Sequence, residues 1–518
     1  MLHLLASHDD SKISEEQSES INRITELVLK NGPNLAQKDA KSGNTPIHTA
    51  IEMNNKSVFI LLVETKNVQL EVHNNKGLTP LALSLSLMSG CDNFFADKLI
   101  ERGASPDALN PQTGDTLAHS TADSGQEDAC LFLLNKGAKI NASNTKGMTI
   151  LHFAALRGLE RVAQKLLKEG ADLKKQTTEA IDGSTTTGQT SLHLAIEGRH
   201  RSIVELFMQQ TEAVMPVLTL RNSSDQTPFA LALWCGLHDI AKEMLSALNY
   251  GGDSSSMAAV INERNTAGLT LLHQAILYKD TKTSIFLVDN GADVNSRTTK
   301  DQTPLELAID CQLPAVVESL CRHNANPNEL MSDGFCALWS ALQKGQLTIA
   351  QQLINFGADR DFWHSGPEGS MQNLLHRAID ENNEPVAVFL VHSHCDVNSP
   401  RRLGPAGEGA EIVREKSTPL HLASCWNLEQ VVQALIERDA RINEQDADGN
   451  TALHFAVDNQ NQTIIKLLLS HPGIDLTIKN KQGDTAFVRA MTLKNHEAAQ
   501  AMIDRNKDVT ELVKKNFK

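Results

Sequence analysis

The groups able to bind a metal, move a proton or attack a carbonyl are spread thinly along this sequence. His392-Ser393-His394-Cys395 puts three metal-ligating side chains within four residues. It falls where a helix is expected to end, with no further ligand cluster, whereas a zinc site needs about four well-placed ligands. Asp446-Ala447-Asp448-Gly449 has the opening of a calcium loop but lacks the third acidic position and the closing Glu. Gly404-x-x-Gly407-x-Gly409 follows no strand and opens no helix, so it is no dinucleotide fingerprint. Neither a P-loop nor a Gly-x-Ser-x-Gly elbow is present. The 8 cysteines, Cys91, Cys130, Cys235, Cys311, Cys321, Cys336, Cys395 and Cys425, form no CxxC pair and read as reduced thiols of a cytosolic protein. No catalytic, metal or cofactor site is expected.

The other histidines recur on a pattern. Thr45-Pro46-Ile47-His48 and Thr418-Pro419-Leu420-His421 are clear copies of one phrase, and Thr303-Pro304-Leu305-Glu306 replaces only the His. Looser copies begin at Thr149, Thr190, Thr270 and Thr451, and degenerate ones at Thr79, Thr116, Thr227, Cys336, Asn373 and Thr485. Thr116 to Thr149, Thr270 to Thr303, Thr303 to Cys336 and Thr418 to Thr451 are each 33 residues apart. A period of about 33 carrying Thr-Pro-Leu-His is the ankyrin signature. Histidines one repeat apart cannot gather into a catalytic cluster.

Each residue of the phrase implies an element. Thr caps a helix, Pro fits its first turn and Leu enters the core. His is expected to bond to neighbouring loops and so tie one repeat to the next. A second helix follows, with apolar pairs such as Leu166-Leu167 and Leu467-Leu468, and stops at a glycine able to turn left-handed, as in Gly170-Ala171-Asp172, Gly291-Ala292-Asp293 and Gly357-Ala358-Asp359. One such unit cannot bury its own apolar face, and stacking buries it against both neighbours. The expected fold is an all-α ankyrin-repeat solenoid of helix-turn-helix units with β-hairpin loops, in about thirteen repeats. Hairpins and first helices should line its concave side. The repeats leave no room for a catalytic domain, so the chain is expected not to be an enzyme.

Composition agrees. The 518 residues exceed one compact core, while a solenoid grows without a shared one. A net charge of −15 opposes nucleic acid and anionic lipid as main partners. No apolar run reaches the 18 residues of a membrane span.

Longer spacings mark insertions at Thr177–Thr187, Asn249–Met257 and Ser399–Glu415, read as surface loops that either bind or record length drift. The expected division is an incomplete first repeat over 1–40, repeats over 41–247, an insertion loop over 248–264, and repeats over 265–397. A Gly/Pro-rich insertion loop over 398–415 and repeats over 416–518 complete it. Leu2–Ala6 resembles a first helix without its hairpin, Ser7–Ser20 a polar link, and Ile21–Lys30 the matching second helix. With no polar capping repeat at either end, the chain is expected to be a piece of a longer array.

Finer details carry a narrower resemblance. Leu374-Leu375-His376-Arg377-Ala378-Ile379-Asp380-Glu381-Asn382-Asn383-Glu384-Pro385, Cys395-Asp396-Val397-Asn398-Ser399-Pro400-Arg401, Ala232-Leu233-Trp234 and the Leu467–Pro472 run are similar to the central array of the rabankyrin family. These are ankyrin-repeat and FYVE-domain proteins of early endosomes. The family also carries a BTB domain and a FYVE finger that binds phosphatidylinositol 3-phosphate, and it acts as an effector of an endosomal Rab GTPase. This sequence shows neither the paired CxxC ligands and His-His-Cys run of a FYVE finger nor a BTB segment, so lipid and zinc binding are not carried over. The resemblance implies a cytoplasmic protein, peripheral on early endosomes, that binds proteins, with an early-endosomal Rab GTPase among the partners. A generic adaptor of signalling or cytoskeletal complexes is the alternative. No small-molecule substrate is expected.

Aromatics are only 4% of the chain, so their placement is informative. Counting from the repeat Thr puts Trp234, Tyr278 and Trp426 near the end of a first helix, facing the groove, as binding anchors or as packing between repeats. Trp363, in a lengthened hairpin, is a further candidate anchor or a loop-packing residue. Trp339 stands at the His position of its repeat and reads as structural.

Overall fold

The computed structural model describes residues 1–66, 68–88, 92–110, 112–181, 185–249, 254–365, 370–403 and 416–505. Cys91, the Gly404–Gly409 run and parts of all three expected insertions lie outside them. The chain divides into two compact units, Met1–Thr266 and Ala267–Lys518. Both are built from antiparallel helix pairs, as the 33-residue period predicts.

In the first unit the first helices are Leu2–Ala6, Pro46–Glu52, Pro80–Ser86, Leu117–Asp123, Ile150–Arg157, Ser191–Glu197 and Pro228–Trp234. In the second they are Leu271–Leu277, Pro304–Asp310, Ala337–Gln343, Leu374–Asp380, Pro419–Cys425, Ala452–Asp458 and Ala486–Thr492. Within each unit most first helices pack on neighbouring first helices and most second helices on second helices. At five to eight residues a first helix is too short to persist alone. Its stability comes from its cap and from apolar side chains shared with both neighbours. Leu192, Leu272 and Leu375, at the Leu position of the phrase, are all buried.

The repeat phrase works as its chemistry predicts, with one refinement. The Thr hydroxyl accepts the backbone N–H three residues on, as at Thr303 with Glu306 at 3.2 Å and Thr79 with Ala82 at 3.2 Å. The His does two jobs. His193 Nδ1 accepts the N–H of Thr190 at 3.2 Å, closing a capping box, while Nε2 bonds to the carbonyl of Gln226 in the next loop at 3.0 Å. The same pair of bonds recurs at His48, His119, His152, His273, His421 and His454. Gly170 and Gly357 end their second helices with φ of +81° and +88°, a region closed to most side chains.

Four segments differ from the sequence reading. The expected loop over 248–264 contains a helix, Ser254–Ile261, because its Met257–Ile261 end is apolar enough to pack; Val260 and Ile261 are buried. The N-terminal second helix begins at Glu15, inside the stretch read as a polar link. Ser14 and Gln17 form a capping box there, and two glutamates occupy the first turn. A short helix, Thr211–Val214, and a 3-10 turn, Val217–Thr219, follow the second helix Arg201–Met208. The hairpin at Trp363 is a three-stranded antiparallel sheet: β1 (Trp363–Ser365) pairs with β2 (Ser370–Asn373), which pairs with β3 (Arg402–Leu403) at the start of the expected Gly/Pro-rich loop. No described helix is long and apolar enough to cross a membrane.

Candidate partner-binding surface

One position stands out when the repeats are aligned on their Thr. Eight residues on, the chain leaves the first helix, and the side chain there points away from the packed layers. Tyr278 is 71% exposed and Trp426 is 53% exposed at this position. Met53, Leu87 and Leu493 occupy it in other repeats and are exposed as well. An exposed Leu is ordinary, but large apolar residues returning to one structural position within each unit are candidate anchors. The sequence reading missed these three because it searched for aromatics alone, although the same count from the repeat Thr finds them.

The other candidates differ. Trp234, in the first unit, sits one residue earlier, as the last residue of its helix, and is half-buried. Trp363 is half-buried on β1, where the Arg402 guanidinium of β3 covers its ring at 4.1 Å and His376 lies 6.2 Å away. Its face is occupied within the fold. Trp339 is fully buried.

Polar residues hold the row in register. One position before the exposed residue, an acid reaches a neighbouring repeat: Asp123 pairs with Arg157 at 2.9 Å and Asp458 with Arg489 at 2.7 Å. Glu306, at the His position of its repeat, accepts the backbone N–H of Ser332 in the next loop at 3.0 Å, so a carboxylate does the work of the imidazole.

The repeats beginning at Cys336 and Asn373 break this pattern. Trp339 replaces the linking His, and its Nε1 has no hydrogen-bond partner. His376 keeps the capping bond from Asn373 N–H at 3.3 Å, and its ring faces the Ser399 carbonyl in the linking place, but Nε2 falls outside hydrogen-bond geometry there. Stacking takes over. The Arg377 guanidinium lies over Phe335 at 4.4 Å and Trp339 at 4.9 Å, and Trp339 stacks on His364 at 6.5 Å. Burial, and next the Arg377 charge, push the His364 pKa down to about 4. Arg401 forms a buried ion pair with Asp380.

Burial pushes the Cys130 and Cys395 thiols up to about 12, so neither is a nucleophile near neutrality. Among the described residues no group of three or more His, Cys, Asp or Glu side chains is placed to hold a metal ion. His394 turns to Arg438, and Asp446 accepts the backbone N–H groups of Asp448 and Asn450 at 2.9 and 2.7 Å, closing a hairpin turn.

The sequence matches the family described as ankyrin repeats (3 copies) over residues 83–177, 244–331, 315–401 and 420–512. It is 39% identical over 552 aligned residues to Rabankyrin-5 of Mus musculus, covering 99% of this chain and 46% of that protein, and the same figures hold for Rabankyrin-5 of Homo sapiens. It is also 26% identical to transient receptor potential cation channel subfamily A member 1 of Homo sapiens, over 90% of this chain and 40% of that one. The chain thus spans about half the length of the relatives it matches, at 46% and 40%.

Proposed function

Because the chain belongs to the ankyrin-repeat family, we propose that it is a non-catalytic, protein-binding scaffold whose row of exposed first-helix ends receives its partner. The observation that carries this is the return of large, exposed apolar side chains to one structural position, with Tyr278 and Trp426 as the anchors in the second unit. Buried aromatics dominate the energy of protein interfaces, so these side chains gain most from being covered.

The partner class rests on likeness to the proteins named Rabankyrin-5. We take it to be a Rab GTPase of early endosomes in its GTP-loaded form, which makes the chain a cytoplasmic trafficking effector, peripheral on that membrane. Trp234 is a candidate anchor of the first unit, and Trp363 becomes one only if Arg402 leaves its face. Likeness to a cation channel subunit favours a second reading, a generic adaptor whose partners differ with context.

A pull-down with an early-endosomal Rab, loaded with GTP in one arm and GDP in the other, tests the proposal. GTP-selective capture that fails with Trp426→Ala supports it. Equal capture in both arms, or none, refutes the effector reading.

A further inference from the structure

Along the second unit, neighbouring first helices pack closely except for Ala337–Gln343 and Leu374–Asp380. There the stack opens, and a cavity of about 530 Å³ lies between the loop at Asp333, the β1–β2 hairpin and the end of the helix Leu374–Asp380. Its lining includes Asp333, Phe335, His364, Gln372, Arg377 and Glu381.

The charges at this opening are sorted by depth. In the Arg401–Asp380 pair the guanidinium is 6% exposed and the carboxylate 18%. In the Arg377–Glu381 pair, at 2.8 Å, the figures are 18% and 36%. Both cations are therefore withdrawn into packing, Arg377 against Phe335 and Trp339, and Arg401 against Gln372. The outward charges are carboxylates. Asp333, at the rim, accepts the Phe335 N–H at 3.0 Å.

Two buried N–H groups beside the opening lack acceptors. The Gln372 carbonyl oxygen takes Arg401 Nη2, so its amide N–H faces His364 Nε2 at 3.3 Å. That leaves the His364 proton on Nδ1, which has no partner, and the Trp339 Nε1–H beneath it has none either. Unsatisfied buried donors are rare in folded proteins and call for an explanation.

We propose that this opening seats a basic side chain, Lys or Arg, of an extended protein segment, with an apolar residue of the same segment lying on Trp426. Trp426 follows the helix Pro419–Cys425 as Glu381 follows Leu374–Asp380, and those two helices pack side by side. The seat and the anchor are thus neighbours on one row. A chain of net charge −15 steers a basic segment toward it. An anionic group would meet the exposed carboxylates of Asp333 and Glu381 before it met either withdrawn arginine. The inference rests on the groove reading for Trp426 and adds the chemistry of the occupant.

The test uses the whole chain with its 4 tryptophans replaced by 5-fluorotryptophan and the fluorine signals assigned by Trp→Phe variants. The probes are the acetylated, amidated peptide Ala-Ala-Arg-Ala-Leu-Ala-Ala and its versions with Glu or norleucine in place of Arg. The Arg peptide is expected to move the Trp339 and Trp426 signals together, and the Glu peptide neither. Asp333→Asn, at an exposed residue whose loss leaves the fold intact, is expected to weaken the Arg peptide about three- to fivefold. Charge-blind binding that moves only Trp426 overturns the basic seat and leaves the groove reading standing. Silence of all signals with all peptides overturns the inference, and the GTPase pull-down then decides the groove reading on its own.

Discussion

Lowering the pH from about 7.5 to about 5 should loosen the stack through its linking histidines. Burial, the leading cause at both sites, pushes the pKa of His152 and of His193 from 6.5 down to about 4. In the unfolded chain each titrates at its ordinary value. Folding therefore favours the neutral ring, a contribution complete above about pH 6.5 and lost progressively as the pH falls toward 4. At pH 5 each ring costs about 2 kcal/mol relative to neutrality, from about 1.5 pH units at 1.36 kcal/mol per unit, and the two together about 4 kcal/mol. His48, His119, His421 and His454 are lowered by the same cause and act in the same direction. The carboxyl of Glu197 is raised by burial, so it is relieved by acid rather than penalised, but its ordinary value of 4.5 confines most of that gain to lower pH. The assay is urea unfolding followed by circular dichroism at several pH values. The midpoint and slope should be tracked separately, because long arrays break two-state behaviour. A His152→Asn/His193→Asn variant should be weaker at neutral pH yet lose about 4 kcal/mol less on acidification to pH 5. Parallel loss in variant and parent would refute the claim that these rings stay neutral in the fold.

Three other perturbations separate binding from stability. Tyr278→Ala and Trp426→Ala should abolish partner capture while shifting stability by no more than about 0.5 kcal/mol, as thermal melts would show, because both side chains face water. Thr303→Ala removes the hydroxyl that accepts the Glu306 N–H, and calorimetry should record a loss of about 1 kcal/mol. Trp339→Ala removes the platform under Arg377 and His364, and denaturant titration should show a loss of about 3–5 kcal/mol, far more than any groove substitution.

The period was legible because each Thr, Leu and His performs a local task that repeats with the backbone. The capping and linking roles of His193 follow from its position three residues after Thr190, and the stop at Gly170 from the left-handed turn it must make. The exposed position eight residues past the repeat Thr could be counted from the sequence, but a search restricted to aromatics passed over Met53, Leu87 and Leu493. The helix Ser254–Ile261 was hidden because glycines and serines precede an apolar run too short to show a period. The opening near Asp333 could not be read at all. It depends on Arg377 meeting Phe335 and Trp339 from the preceding repeat, and on β3 reaching back across β2. Such meetings are set by packing across repeats rather than by residue spacing.

The missing link at Trp339 and the loosened one at His376 also bear on mechanics. A stack fastened rung by rung resembles springs in series, and the softest spring takes most of any extension. From Cys336 to Thr418 one imidazole-to-carbonyl fastener is absent and the next is loosened, and stacked rings and one buried ion pair take their place. Under tension or thermal bending the second unit should yield there first, while the rungs on either side move as stiffer blocks.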